Sequence, residues 1–354
     1  MQPNRDEILK ALENVIDPEL RRPVTELDMV RDVEIDGGDV SVTIALTVAG
    51  CPLRQSFQDQ VVEHVGKVAG VERVRLGFDV MSPEEKAALA SRLRGGVAER
   101  SKGISLDRST RVLAVASGKG GVGKSSLTVN LAAAFSRLGH RTGVLDADIY
   151  GHSIPHMLGI AQKPVVVDKM IVPPVKGDLK LMSIGFFLDD NSPVMWRGPM
   201  LHRALEQFLS DVHWGELDLL LVDMPPGTGD VSISLGQLLP RAEAVIVTTP
   251  QPLAQEVAAR AAVMAQKTEM RLVGVIENMT SEVFGEGGGE RLAEQLGVPL
   301  LGHVPLDPRL RECGDDGEPL LWAEPDSDTA QTILAIAESI HAARRTFKPL
   351  PVLS

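Results

Sequence analysis

Between residues 4 and 80 the apolar positions change period several times. Ile8, Leu12 and Val15 recur at helical spacing, whereas Val40, Val42, Ile44 and Leu46 alternate with Ser41, Thr43 and Ala45 as a half-buried strand does. Asp36-Gly37-Gly38-Asp39, between Val33–Ile35 and that strand, reads as a hairpin turn. Leu53, Phe57, Val61, Val65 and Val68 mark a second amphipathic helix, with Pro52 suited to its first turn. The predicted order is helix, strand, strand, helix, strand, a small α+β domain over residues 1–81. Residues 82–110 are polar and charged, contain Gly95-Gly96 and read as a linker whose first part is suited to a short helix.

From Arg111 the pattern becomes short, nearly continuous apolar runs separated by helical stretches. The runs fall at 112–116, 142–148, 179–185, 218–224, 244–250, 272–279 and 300–305. Such runs mark strands buried on both faces, so residues 111–354 are expected to form an α/β domain with a mostly parallel sheet and helices on both faces. Ligands of such sheets bind at the carboxyl ends of the strands.

Composition narrows the function. The 354 residues carry 48 acidic against 36 basic side chains, a net charge of -12, which disfavours broad binding to nucleic acid or anionic membrane. No apolar run is long enough to span a bilayer, and MQPNRDEILK lacks the layout of a signal peptide, so a cytoplasmic protein is expected. Two cysteines, Cys51 and Cys313, are too few for a disulfide framework.

The run VLAVA leads into Ser117-Gly118-Lys119-Gly120-Gly121-Val122-Gly123-Lys124-Ser125-Ser126, and a helix carrying Leu127, Leu131 and Phe135 follows. Strand, G-x4-G-K-S, helix is the context of a phosphate-binding loop. Its backbone N–H groups would cradle phosphates, Lys124 would supply charge and Ser125 would offer its hydroxyl to Mg2+, which makes ATP the expected ligand. Asp223 after LLLV is placed as the metal carboxylate, with Pro225-Pro226-Gly227-Thr228-Gly229-Asp230 as a switch loop. Asp146 and Asp148 end the strand of 142–148, and each of the three aspartates could also be a helix cap or a loop residue. The second lysine, Lys119, is placed either to lie over the nucleotide of its own chain or to reach that of a facing chain.

This form of the loop resembles the ParA/MinD group of P-loop ATPases, in which that lysine crosses a dimer interface. The resemblance implies that Asp148 orients the attacking water, that Asp146 serves the magnesium site, and that Asn278 and the Pro305-Leu306-Asp307-Pro308 segment, Pro305 and Asp307 in particular, hold the adenine ring. More closely, GKGGVGKS, DADIYGHSIPHMLG, WRGP at 196–199, DMPPGTGD, ENM, FGEGGGERLA at 284–293 and VPLDPRLRE resemble the Mrp/ApbC group of iron-sulfur cluster carriers. Asp17-Pro18-Glu19 and LTVAGCP at 46–52 are similar to the small metal-sulfur cluster biosynthesis domain often fused in front. ATPase activity, a homodimer, apoprotein clients, iron-sulfur assembly factors as partners and an iron-sulfur cluster are what the resemblance implies.

The chain departs from that group where a C-x-x-C pair is expected. It has Thr280-Ser281-Glu282-Val283 there, and neither a hydroxyl nor a lone glutamate replaces soft thiolate ligation. Cys51 is the remaining candidate ligand, placed at a helix start where the dipole would favour its thiolate; the alternative is a small residue in a turn. Cys313 is assigned no function. The histidines form no metal pattern along the sequence, and Pro155, between His152 and His156, argues against a helix there. Trp196 reads equally as a partner-facing residue or a buried anchor. The alternatives to a cluster carrier are a ParA/MinD-type positioning ATPase, for whose membrane form the tail RRTFKPLPVLS is poorly suited, and a nucleotide-switched adaptor that binds no cluster itself.

Overall fold

The computed structural model describes residues 3–48, 51, 53–93, 106–107, 109–149, 151–188, 198–239 and 241–343. Gly50, Pro52, Gly95-Gly96, Tyr150, Trp196-Arg197 and the tail from Arg344, all singled out above, lie outside the described residues. The chain divides into two compact units.

The first unit begins with α1 (Arg5–Leu12), β1 (Val30–Asp36), β2 (Asp39–Leu46), α2 (Arg54–Val65), β3 (Arg73–Val80) and α3 (Pro83–Leu93). Asn4 caps α1 by accepting from the Glu7 amide while the Glu7 side chain accepts from the Asn4 amide, a reciprocal box that satisfies two donors a helix start leaves open. The alternating strand is β2, antiparallel to β1 and parallel to β3, so it is the centre of a three-stranded sheet. Val40, Val42 and Ile44 are buried with Ile8, Leu12, Phe57, Val61 and Val65. Each fully buried aliphatic side chain contributes roughly 1.5–3 kcal/mol relative to exposure. Helix α3 occupies the first part of the segment read as linker.

The second unit opens with β4 (Arg111–Ser117), α4 (Lys124–Arg137), β5 (Thr142–Asp146) and α5 (Ile154–Met157). Helix α5 corrects the reading of Pro155 as a breaker: the proline sits in the first turn, where its missing N–H has no intrahelical partner to lose. The hairpin β6 (Val165–Val167) and β7 (Met170–Val172) groups with the first unit, where Val167, Met170 and Val172 join the core. The chain then continues through β8 (Val175–Lys176), β9 (Leu179–Ser183), α6 (Gly198–Ser210), β10 (Leu219–Asp223), α7 (Asp230–Leu238), β11 (Glu243–Thr248), α8 (Pro252–Lys267) and β12 (Arg271–Thr280). It ends with α9 (Gly288–Leu296), β13 (Leu300–Pro305), α10 (Pro308–Asp315), α11 (Leu320–Ala323) and α12 (Asp328–Ala342).

The main sheet has the order β13-β12-β11-β4-β10-β5-β9-β8, and its pairings from β13 to β9 are parallel. Strands β5, β10 and β11 are buried throughout, which is why their sequences read as unbroken apolar runs. The register sets Asp223 beside Val115 on one side and Asp146 on the other, so the polar ends of β4, β10 and β5 converge at one edge of the sheet.

Candidate functional site

The loop between β4 and α4 is shaped by what its glycines exclude. A Cβ on Gly118 would fall 2.2 Å from the carbonyl carbon of Val257, so only glycine lets the loop start against α8. Gly123 has φ +79° and precedes the first residue of α4, and a Cβ there would lie 2.2 Å from Asn278 Nδ2. Around Gly120 and Gly121 a Cβ would meet no atom of the described residues within 4 Å, so this part of the loop faces open space among them. That space belongs to a cleft of about 620 Å³ lined by the loop, Asp148, Gly151, Pro225, Pro226 and Gly229, among others. Gly227 donates its amide to the Ser117 carbonyl at 2.8 Å, which ties the expected switch loop to the base of the phosphate loop.

Lys124 is almost wholly buried, and burying an ammonium without anions is prohibitive. Its Nζ lies 2.7 Å from Asp223 Oδ2 and 3.8 Å from Asp148 Oδ2. Ser125 Oγ donates to the same Asp223 oxygen at 2.6 Å, and the Thr128 hydroxyl lies 2.8 Å from the other. Thr128 was not foreseen; it is one helical turn beyond Lys124, so the i, i+4 spacing carried the signal. The hydroxyl and carboxylate of Ser125 and Asp223 form an all-oxygen donor pair that suits Mg2+, and the open loop beside them suits phosphate oxygens.

Asp148 lines the cleft and accepts from the Gly151 amide at 3.1 Å. Asp146 lies behind it and does not line the cleft. Its carboxylate accepts from Ser183 Oγ at 2.9 Å and from the Asp148 amide at 3.2 Å. Burial, and then the neighbouring Asp223 charge, push its pKa up to about 8. Lys119 and Ser126 both line the cleft, and the Lys119 ammonium has no carboxylate partner among the described residues.

The proposed ring-binding residues are placed differently from one another. Asn278 donates Nδ2 to the Val122 carbonyl at 2.8 Å, while its buried Oδ1 has no hydrogen-bond partner among the described residues. Pro305 ends β13, and neither it nor Asp307 lines the cleft. The Asp307 carboxylate caps α10 by accepting from the Arg309 amide at 3.0 Å, and it also takes the Arg309 guanidinium and the Thr329 hydroxyl.

Cys51 lies in the first unit, two residues before Leu53, which stands at the N-cap position of α2 without a side-chain capping bond. The expectation of a helix-favoured thiolate is corrected here: burial pushes the thiol pKa up, and Glu19 and Asp17 add to the rise against the opposing effects of the Leu53 backbone and Arg54.

Two families of known proteins match the chain. The family described as NUBPL iron-transfer P-loop NTPase matches residues 108–341, and that described as iron-sulfur cluster assembly protein matches residues 5–76. An iron-sulfur cluster carrier protein of Mycobacterium tuberculosis is 52% identical, covering 96% of this chain and 93% of the relative. One of Synechocystis is 41% identical, covering 95% and 96%. Among solved structures, a nucleotide-binding protein from Archaeoglobus fulgidus in complex with ADP is 36% identical over 62% of this chain and 90% of its own, with a TM-score of 0.54. MinD of Pyrococcus horikoshii, complexed with Mg-ADP, matches in fold with a TM-score of 0.52 at 24% identity, over 65% of this chain and 96% of its own.

Proposed function

The chain belongs to the family of iron-sulfur cluster carrier proteins built on a P-loop NTPase, and from that premise we propose that it binds and hydrolyses Mg-ATP as a cytoplasmic homodimer and delivers clusters to apoprotein clients. The observation that carries the nucleotide part is the ammonium of Lys124 held between Asp223 and Asp148 at the mouth of an open glycine loop. Ser125 and Asp223 would hold Mg2+, which supplies charge neutralisation at the phosphates.

The chain's own groups do the rest. Loop N–H groups bind the phosphates, and Lys124 exchanges Asp223 for phosphate oxygens. Asp148 holds the attacking water, and Asp146, expected at the magnesium site but set behind the cleft, instead acts as a positioning residue that accepts from the Asp148 amide. Asn278 offers its unpartnered Oδ1 to the amino group of adenine, and the backbone around Pro305 and Asp307 borders the ring. Lys119 stabilises the phosphoryl charge that develops during transfer, from its own chain or from the facing one.

The cluster part is tested by anaerobic reconstitution with iron and sulfide, with iron counting and transfer to an apoprotein. Wild type is expected to take up a labile cluster that Cys51→Ser loses while ATP hydrolysis persists. Two thiolates from a dimer fill half of the four positions, the rest coming from a small thiol or the client. A second reading, a nucleotide-switched adaptor, is favoured by the 281–284 loop, where Val283 is 82% exposed and no residue is a thiol. A wild type that takes up no iron yet binds clients in an ATP-dependent manner would select the adaptor.

A further inference from the structure

Strands β12 and β13 are paired in parallel with Glu277 directly beside His303. Glu277 is fully buried, and its carboxylate accepts from the amides of Gly287 and Gly289 at the start of α9. A Cβ on Gly289 would lie 2.6 Å from Glu277 Cβ, so the glycine run lets the helix start close on the carboxylate. That contact brings Glu290, in the first turn of α9, to His303: Glu290 Oε1 is 2.9 Å from His303 Nε2. One ligand atom from each of Glu277, Glu290 and His303 can be chosen so that all lie within 4.8 Å of one another.

Structural packing accounts for part of this cluster. Two amides at a helix N-terminus satisfy a buried carboxylate well. They do not account for the imidazole: His303 Nδ1 is buried, has no hydrogen-bond partner among the described residues, and lies 3.7 Å from Glu277 Oε1, too far for a hydrogen bond. Nor do they account for a second carboxylate on the other nitrogen of the same ring. Two carboxylates thus approach the two nitrogens of one ring, and no Lys or Arg pairs with either of them among the described residues. A divalent ion binds through one ring nitrogen only; on Nδ1 it would use the unpartnered lone pair and balance both charges once Glu290 turns toward it.

We infer that Glu277, Glu290 and His303 form a binding site for one divalent first-row transition-metal ion of the Zn2+ or Fe2+ class, separate from the Mg2+ position of the phosphate loop. One imidazole and two carboxylates favour such ions over Mg2+ and Ca2+, which take oxygen ligands. Three protein ligands leave further positions to water. The amides of Gly287 and Gly289 orient the Glu277 carboxylate, as hydrogen bonds to a metal's ligands commonly do. Glu290 is half exposed on its helix and can close the remaining distance. The site depends on neither ATP hydrolysis nor cluster carriage.

The test is titration of the chelator-treated full chain with Co2+, whose visible absorption reports coordination. Cys51→Ser and Cys313→Ser in the background remove thiol ligands, and saturating Mg-ADP occupies the phosphate loop. The parent chain is expected to bind one Co2+ with a visible band. Glu290→Gln should weaken that binding at least about tenfold. His303→Ala should abolish the band, with ADP affinity retained in both variants. No Co2+ bound by a parent chain that binds ADP would overturn the site, as would equal Co2+ affinity in parent and Glu290→Gln. Because Glu290 is a half-exposed position, that variant decides the matter even if His303→Ala fails to fold. ADP affinity measured in the same samples separates failure of this site from failure of the nucleotide reading.

Discussion

The chain has two glycine-rich segments at the same edge of one sheet, and they use glycine in opposite ways. In the loop after β4, a Cβ on Gly120 or Gly121 would meet nothing within 4 Å among the described residues. At the start of α9, a Cβ on Gly288 would fall 2.8 Å from the Pro250 carbonyl oxygen, and one on Gly289 would fall 2.6 Å from Glu277 Cβ. The first segment leaves room for a ligand; the second lets protein close on protein. A glycine run read from sequence alone carries either meaning, and the surrounding packing decides between them.

The largest effects should come from the first segment. Lys124→Ala is expected to abolish ATP binding, because it removes the cation that meets ground-state phosphates. Asp148→Ala should leave affinity nearly unchanged and lower kcat by about 100-fold or more, since it acts only on the attacking water. Equal loss of nucleotide affinity in both, by isothermal titration, would remove Asp148 from that role. Lys119→Ala should lower kcat by about 10- to 1000-fold while changing affinity less, and Mg-ATP should favour a dimer. Sedimentation of a monomer at saturating non-hydrolysable nucleotide, with turnover intact, would rule out a site shared between chains.

A paired substitution tests the glycine contrast itself. Gly120→Ala is expected to keep the melting temperature close to wild type and to lose nucleotide, because its methyl group enters the space the phosphates need. Gly289→Ala should do the reverse, keeping ADP affinity while destabilising the fold by about 1–3 kcal/mol, the range for forcing an extra carbon into a packed position. Thermal and urea unfolding beside ADP titration read both. A Gly289→Ala protein as stable as wild type would show that the packing around Glu277 yields easily.

The same contrast explains what the sequence disclosed. The phosphate loop was legible because its parts are contiguous, and the strands were legible because burial on both faces leaves apolar runs. Thr128 was missed although one turn separates it from Lys124. Glu277, Glu290 and His303 stand on three elements, and no spacing along the chain brings them together; only the β12–β13 register and the glycine contacts do. Residues 165–172 gave no sign that they pack in the first unit, since a short apolar hairpin does not encode its partner. Cys51 shows the limit of a local rule: its place near a helix start suggested a stabilised thiolate, but burial and two nearby carboxylates act the other way.

Asp307 carries the smallest expected effect and separates a ligand-facing role from a protein-facing one. The family resemblance places it beside the adenine ring, yet its carboxylate is committed to the α10 cap, to Arg309 and to Thr329. Removing such a cap costs about 1 kcal/mol, so Asp307→Ala should lower stability by that order and leave ADP affinity unchanged. The Arg309 guanidinium beside it holds the Asp307 pKa down to about 2, against 3.8 for an unperturbed carboxyl. A depressed folded-state pKa gives stabilisation that is fully present above the unfolded value and is lost as pH falls through the folded one. The gap between wild type and Asp307→Ala should therefore be constant from neutral pH down to about 5 and should close between about pH 4 and 2. Unfolding midpoints across that range measure it. If Asp307→Ala instead weakens ADP binding at neutral pH with unchanged stability, the carboxylate faces the nucleotide and the cap is incidental.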